Sequence, residues 1–144
     1  GVDINNVGLT YSGEYSNGDF AIGLAESSNF IGIKNNQSKR LSYIGNTASL
    51  AVFVSTTRLV TTSSRTGEFV HELYANGVLA NSNSTSSGSL SPNANVFILG
   101  LSSSGALNSP FASEIDFAAA HKGLSANQVT DLYDAITTYN TAVR

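Results

Sequence analysis

Short apolar runs separated by clusters of Gly, Asn, Asp and Ser make up most of the chain. The candidate strands are VGLTY (7–11), FAIGLA (20–25), FIGIK (30–34), ASLAVFVS (48–55), RLVTTS (58–63), EFVHELYA (68–75), VLAN (78–81), NVFILGL (95–101) and SEIDFAAA (113–120). Many short strands between turn residues predict an all-β fold in which two sheets pack face to face.

Asn76 and Gly77 predict a tight turn between two of these strands. A two-residue type I′ turn needs positive φ at both positions, which asparagine and glycine tolerate best. In the preceding strand, Phe69, His71 and Leu73 recur at every second position and so share one face. We therefore expect a β-hairpin centred on residues 76 and 77.

Two polar segments interrupt the strand pattern. Residues 82–93 (SNSTSSGSLSPN) and 102–110 (SSSGALNSP) are rich in serine, asparagine and glycine. Such segments favour turns and exposed loops, because their side chains hydrogen-bond to the local backbone. We expect both to be surface loops within the same sheet system.

The C-terminal segment changes to a helical pattern. Apolar residues at Val129, Leu132, Ile136 and Tyr139 are three or four positions apart. Ser125 followed by Gln128 forms a capping box, and the predicted helix runs from about residue 126 to about residue 138 or beyond. The apolar stripe covers a sheet of the same domain in one interpretation. In the other, Tyr133, Tyr139 and Val143 face a neighbouring subunit.

Composition and charge narrow the class of protein. A chain of 144 residues fits one domain (1–144) with a sizeable core. Cysteine is absent, which excludes disulfides and thiolate chemistry, and no apolar run approaches the ~20 residues of a membrane-spanning helix. Seven scattered basic residues and a net charge of −3 argue against nucleic-acid binding. Methionine is also absent, so we expect a piece of a longer or processed polypeptide.

The order of motifs in the second half resembles a known family. ELYANGVL, NVFILG and FASEIDFAAAHKGLSANQVTDLY succeed one another within residues 66–139. They are similar to the C-terminal half of laminin G-like domains, in the concanavalin A-like lectin/glucanase superfamily. The matching residues are Tyr74, Asn76, Gly77, Ile98, Gly100, Phe111, Ile115, Asp116, Leu124, Ser125, Leu132 and Tyr133. Ser113 replaces a usual glycine, and the longer final helix resembles lectin-like domains of phage tail and bacterial surface proteins.

The resemblance implies a specific architecture. We expect an antiparallel jelly-roll sandwich of two sheets, with one C-terminal amphipathic helix packed at an edge. Residues 1–65 fit this architecture by their strand pattern.

The segment EIDF (114–117) is the part of the sequence that indicates whether the chain could be a hydrolase. Retaining glycanases of this superfamily carry Glu-x-Asp-x-Glu on one strand, which places a nucleophile and an acid/base close together. Glu114 and Asp116 are present here, but Ala118 occupies the third position. We therefore predict that the chain is not an enzyme, and that Asp116 makes structural hydrogen bonds.

The sequence gives little support for a metal or cofactor site. His71 and His121 are far apart in sequence, and no local set of three or four ligands accompanies either. We predict that neither binds a metal and that the protein uses no cofactor. Calcium is the one ion that the lectin-like resemblance leaves open, with oxygen ligands at 16–19 (SNGD) and 81–84 (NSNS).

Candidate glycan-binding residues lie in turn-rich segments. An aromatic ring stacks on a sugar, while amides and arginine bond to its hydroxyls. The candidates are Tyr15, Asn17, Tyr43, Asn46 and Arg65. For both tyrosines, a structural role at the edge of the core is the alternative.

The leading hypothesis is a non-catalytic carbohydrate-binding module of a secreted, cell-surface or phage tail protein. Its partner is then a glycan, and its location is extracellular or on a virion. The alternative is an assembly domain of a fibre or tail protein, a homotrimer or a spacer between neighbouring domains, without a glycan ligand.

Overall fold

The computed structural model describes residues 5–14, 20–26, 29–36, 38–45, 49–53, 58–86, 97–98, 100–103, 106–108 and 114–143. Within them the elements are β1 (Val7–Glu14), β2 (Phe20–Glu26), β3 (Asn29–Asn36), β4 (Lys39–Gly45), β5 (Ser49–Phe53), β6 (Arg58–Gly67), β7 (Val70–Ala75), β8 (Val78–Asn83), β9 (Phe97–Ile98), β10 (Leu101–Ser103), β11 (Ala106–Asn108), β12 (Ile115–His121) and α1 (Ala126–Val143). Across these ranges, no helix combines the length and the apolar character that a bilayer crossing requires.

The strands form two sheets, which confirms the all-β sandwich with one C-terminal helix. The first sheet has the order β12-β1-β6-β7-β8, and the second has the order β11-β10-β2-β3-β4-β5, with β9 also paired to β2. One described pair departs from the antiparallel expectation, since β10 runs parallel to β2. The chain reverses between β9 and β10, so that both short strands add to the same edge of β2.

Three described strands escaped the sequence prediction. The expected loop at 102–110 is wrong in part, because it contains most of β10 and all of β11. Strand β4 was missed because its inward positions include Arg40 and Ser42. Polar residues on the buried face remove the apolar–polar alternation by which a half-buried strand is recognised.

The core between the sheets has an apolar part and a polar part. The apolar part contains Val7, Leu9, Tyr11, Ala21, Ile22, Ile31, Ile33 and Ile44. In the polar part, Arg40 of the second sheet donates to the Thr61 hydroxyl (3.0 Å) and the Gly13 carbonyl (2.7 Å) of the first sheet. Hydrogen bonds therefore join the two sheets alongside apolar burial.

Helix α1 packs on the outer face of the first sheet. The Ser125 backbone N–H donates to Gln128 Oε1 (2.9 Å), which is one half of the predicted capping box. The Ser125 hydroxyl donates to the same oxygen (3.0 Å) and not to the backbone, so the other half is not formed as predicted. The Ser64 hydroxyl donates to the Leu124 carbonyl and accepts from its N–H, which fixes the approach to the helix. Val129 and Ile136 are buried, so the apolar stripe covers its own domain.

Candidate functional site

The site with the most varied chemistry is a cavity of about 520 Å³ between α1 and the first sheet, which we call the helix cleft. Its sheet wall consists of Ser12, Arg58, Leu59, Val60, Asn76 and Asp116. Its helix wall consists of Tyr133, Thr137, Asn140 and Thr141.

The helix wall follows from the helical repeat. Positions 133, 137, 140 and 141 recur at spacings of four, three and one, so they project toward the same side of α1. Tyr133 is held against the hairpin turn, where a Cβ at Gly77 would lie 3.1 Å from its ring. The Thr141 hydroxyl donates to the Thr137 carbonyl (2.8 Å), which leaves its lone pairs as acceptors.

The charged part of the sheet wall is neutralised within the protein. Arg58 Nη1 contacts Asp116 Oδ1 at 2.5 Å, and Arg58 Nη2 contacts Glu114 Oε2 at 2.9 Å. The Asp116 side chain is only 8 % exposed, and a carboxylate so well buried requires a charged or hydrogen-bonding partner. Arg58 therefore cannot act as a free cation for a phosphate.

Asn76 supplies an amide at the mouth of the cleft. Its φ of 50° and the φ of 78° at Gly77 confirm the predicted type I′ turn. Asn76 Oδ1 accepts from the Val60 N–H (3.1 Å), and the Asn76 N–H donates to the Val60 carbonyl (2.8 Å). These bonds fix the side chain with its two Nδ2 donors available.

The cleft therefore offers an aromatic ring, two amides, four hydroxyls and an ion pair whose charges are balanced within the protein. Such a lining suits a neutral ligand with many hydroxyls, because it combines hydrogen-bond donors and acceptors with an aromatic ring. The sequence analysis did not select Arg58, Thr137, Asn140 or Thr141. The polar spacing along α1 was the available signal for the last three.

Of the five sequence-predicted ligand residues, the structure describes Tyr43 and Arg65. Tyr15, Asn17 and Asn46 lie outside the described residues. Tyr43 is half-buried on the outer face of the second sheet, with its ring centroid 6.2 Å from Phe20 and 5.8 Å from Phe30.

Arg65 is the predicted ligand residue that the structure corrects. It is only 1 % exposed, and its Nη1 donates to the carbonyls of Glu68 and Thr85. Burial lowers the pKa of the guanidinium from its usual value. Arg65 thus stabilises a loop from within and does not present its guanidinium to a ligand.

A buried serine–histidine group also lies between the sheets. His71 Nε2 is 3.1 Å from the hydroxyls of both Ser42 and Ser63. All three residues are fully buried, and burial, together with the positive charge of Arg65, lowers the His71 pKa to about 3. A substrate cannot reach these hydroxyls, so the group is structural.

The other candidate metal ligands have protein partners. His121 lies 2.9 Å from the Thr10 hydroxyl through Nε2 and 2.6 Å from the Lys122 carbonyl through Nδ1. Asn81 Oδ1 and Asn83 Oδ1 accept from backbone N–H groups within the 81–85 segment. Over the described ranges, no three His, Cys, Asp or Glu side chains converge as metal ligands do. Residues 16–19, the other segment at which calcium was left open, lie outside the described residues.

Comparison with protein-family models gives no match, and comparison with curated proteins gives none either. Solved structures do match the fold. A crystallised mutant of HCR/D has a TM-score of 0.64 at 14 % identity over 94 % of this chain and 38 % of its own. The botulinum neurotoxin serotype D binding domain has a TM-score of 0.61 at 13 % identity, over 94 % and 39 %.

A third structure belongs to botulinum neurotoxin type C, whose cell entry depends on interaction with two ganglioside molecules. Its TM-score is 0.62 at 12 % identity, over 92 % of this chain and 36 % of its own. The chain thus spans less than two-fifths of each of these structures, and identities this low establish the shared fold only. The chain has the β-sandwich fold that is present in part of these solved structures.

Proposed function

We propose that the chain is a non-catalytic carbohydrate-binding module, with the helix cleft as its glycan site. The observation that carries the proposal is the cleft lining, in which Tyr133, Asn76 and Asn140 surround an ion pair that is satisfied internally. A sugar ring can stack on the tyrosine while its hydroxyls bond to the amides. The cavity volume falls in the range of about 300–1,000 Å³ that is usual for small-ligand sites.

Two further observations support a lectin-like assignment. The motifs around the Asn76-Gly77 turn and α1 resemble laminin G-like domains, which supports the proposal that the chain belongs to the concanavalin A-like superfamily. One solved structure of similar fold comes from a toxin that interacts with gangliosides. We further propose that the module belongs to an extracellular protein, such as a bacterial surface or phage tail protein.

The absence of hydrolysis is also part of the proposal. Asp116 is held by Arg58 in an ion pair, and its side chain is only 8 % exposed. Ala118 stands where a glycanase of this superfamily carries its second carboxylate. A bound saccharide therefore meets no paired acid and nucleophile.

Single-residue variants of α1 test the glycan site. Thr137→Val removes one cleft hydroxyl at constant shape, and Asn140→Ala removes one amide. Thr138→Val is the matched control, because Thr138 is exposed and does not line the cleft. A panel of neutral oligosaccharides first identifies a ligand, and calorimetric titration then compares the variants.

We expect each cleft variant to weaken binding by about fivefold, the worth of one net hydrogen bond, and the control to match the wild type. Equal affinities for Thr137→Val, Asn140→Ala and the wild type would contradict the cleft as the glycan site. Failure of every neutral oligosaccharide to bind would also contradict the cleft as a glycan site, and failure of acidic saccharides as well would contradict the function itself.

An assembly role is the second candidate, and the exposed end of α1 favours it. Tyr139 and Val143 are each 59 % exposed in the C-terminal part of the helix. In a fibre or tail protein these side chains would meet a neighbouring copy, for example in a homotrimer. Light scattering of the wild type and of a Tyr139→Ser, Val143→Ser double variant separates the two roles, since only an assembly domain would change its mass.

A further inference from the structure

Two lysines and two apolar residues form a strip on the outer face of the second sheet. We define the lysine strip as Lys34, Lys39, Leu41 and Phe53. Strand pairing places Lys34 opposite Leu41 and Lys39 opposite Phe53. Arg40, between two strip residues, points into the core and contacts the first sheet. Because side chains alternate along a strand, all four strip residues face outward.

Both ammonium groups are held over aromatic rings. Lys39 Nζ lies 4.8 Å from the Phe53 ring centroid, and Lys34 Nζ lies 5.3 Å from the Phe20 centroid. These distances are within the range of a cation–π interaction, which restrains a lysine without neutralising its charge. Phe53 itself is 74 % exposed, so the strip is open to solvent on that side.

The strip concentrates positive charge in a protein whose net charge is −3. Within the described ranges, neither Lys34 nor Lys39 has a carboxylate partner. Arg40 and Arg65 are buried, and Arg58 is bound to two carboxylates. The strip is therefore complementary to an anion, in contrast to the neutral helix cleft.

We infer that the lysine strip binds an acidic saccharide, one whose sugar rings carry carboxylates. The inference rests on the proposed carbohydrate-binding function, but it places a second saccharide site on a surface separate from the helix cleft. Lys34 and Lys39 are diagonal neighbours on adjacent strands, so their Cβ atoms lie about 7–8 Å apart. That spacing lets one ammonium bind a ring carboxylate and the other a group on the next ring. Leu41 and Phe53 contact the apolar face of the sugar, which a simple inorganic anion would leave unused.

An oligogalacturonate and its methyl ester are the matched probes, because esterification removes the charge and keeps the rings. Calorimetric titration at low salt compares the wild type with a Lys34→Gln, Lys39→Gln double variant. Lys122→Gln is the control, since Lys122 is exposed and lies outside the strip. We expect the wild type and the control to bind the acid at least about fivefold more tightly than the ester. We expect the double variant to lose that preference, with the acid's affinity falling to that of the ester.

Three results would overturn the inference. One is equal binding of acid and ester by the wild type, and another is an undiminished preference for the acid in the double variant. The third is lysine-dependent binding of a single-stranded oligonucleotide that is tighter than binding of the oligogalacturonate. Neutral oligosaccharides, titrated against the same variants, keep the two proposals distinct. If they bind in every variant and the acid shows no preference, only the strip is wrong. If no saccharide of either kind binds, the proposed function fails as well.

Discussion

His71 and Arg40 show how single residues place polar groups inside the sandwich. His71 Nε2 lies 3.1 Å from two serine hydroxyls, whereas its Nδ1 has no hydrogen-bond partner in the structure. Arg40 directs its two Nη atoms at oxygens of the first sheet, and its guanidinium lies 4.5 Å from the Tyr11 ring centroid. Burial lowers the Arg40 pKa to about 10, partly offset by the Tyr11 and Asp116 charges. Both side chains are costly to bury, so each makes stability sensitive to its partners.

The first prediction concerns acid. The folded-state pKa of His71 is about 3, below the ordinary value of 6.5. Below pH 6.5 the unfolded state therefore binds a proton that the folded state does not. Stability is full above pH 6.5 and falls toward pH 3 by up to about 1.4 kcal/mol per pH unit. Urea unfolding followed by circular dichroism between pH 7 and pH 5 measures this slope before the carboxylates titrate.

His71→Gln keeps a hydrogen-bonding group and removes the titrating imidazole. The free energy of unfolding of this variant should therefore change much less between pH 7 and pH 5 than that of the wild type. His121→Gln is the companion variant. The pKa of His121 is also lowered by burial, against a hydrogen bond to the Lys122 carbonyl that raises it. His121→Gln should therefore reduce the pH dependence of the free energy of unfolding by less than His71→Gln does. An unchanged slope in His71→Gln would show that another group causes the acid sensitivity.

The second prediction concerns Arg40. Besides Thr61 and Gly13, Arg40 also donates to the Leu59 carbonyl. A lysine at this position keeps the charge, but it lacks the planar guanidinium that reaches all three acceptors. We expect Arg40→Lys to lower the free energy of unfolding by about 2–3 kcal/mol, since buried acceptors lose their donors. Thr61→Val removes only one of those acceptors and should cost about 1 kcal/mol. Urea denaturation ranks the two, and a smaller loss for Arg40→Lys than for Thr61→Val would contradict the network.

Among the secondary-structure elements, the Asn76-Gly77 hairpin and α1 depend on each other. The Thr130 hydroxyl shares its proton between the Ala126 carbonyl (3.2 Å) and the Gly77 carbonyl (3.3 Å), and the Tyr133 ring lies over the Gly77 Cα. The turn thus fixes the position of the helix on the first sheet. Tyr133, Thr137 and Asn140 belong to α1, so the position of the helix determines how far they lie from the sheet. The turn therefore also sets the width of the cleft.

The third prediction follows from this contact. Gly77→Ala places a Cβ at a φ of 78° and 3.1 Å from the Tyr133 ring. Both effects are unfavourable, and the expected loss is at least about 1 kcal/mol in the free energy of unfolding. Gly67→Ala is the matched control, because the nearest atom to its added Cβ is 3.8 Å away. Equal stability of the two variants would contradict the proposed coupling between turn and helix.

Local signals explain which elements could be predicted from the sequence. The turn and the start of α1 were correctly predicted, because each depends on residues that are close together in the sequence. These are Asn76 with Gly77 for the turn, and Ser125 with Gln128 for the helix. Strand β4 could not be found in this way. Arg40 and Thr61 are 21 residues apart, and Ser42 and His71 are 29 apart. A sequence does not reveal that such distant polar groups satisfy each other.

At the scale of the whole molecule, the fold was more predictable than the site. Strand spacing and the helical stripe specify two sheets with a helix, because burial patterns repeat along the chain. The helix cleft instead joins Arg58 to Asp116 across 58 residues and adds one face of α1. Tyr43 and Arg65 were chosen for their residue type, but the fold places Arg65 inside the sandwich and Tyr43 on a different sheet. Tyr43 remains a prediction, and Tyr43→Ala with Tyr139→Ala as the control tests its contribution to saccharide binding.

Titration of ¹⁵N-labelled protein with the neutral oligosaccharide that binds in the panel tests the central claim most directly. The amide signals should shift in a saturable way, and the largest shifts should belong to Asn76, Arg58, Thr137, Asn140 and Thr141. Saturable shifts confined to residues away from α1 and the 76–77 turn would contradict the helix cleft as the site at which this module binds its glycan.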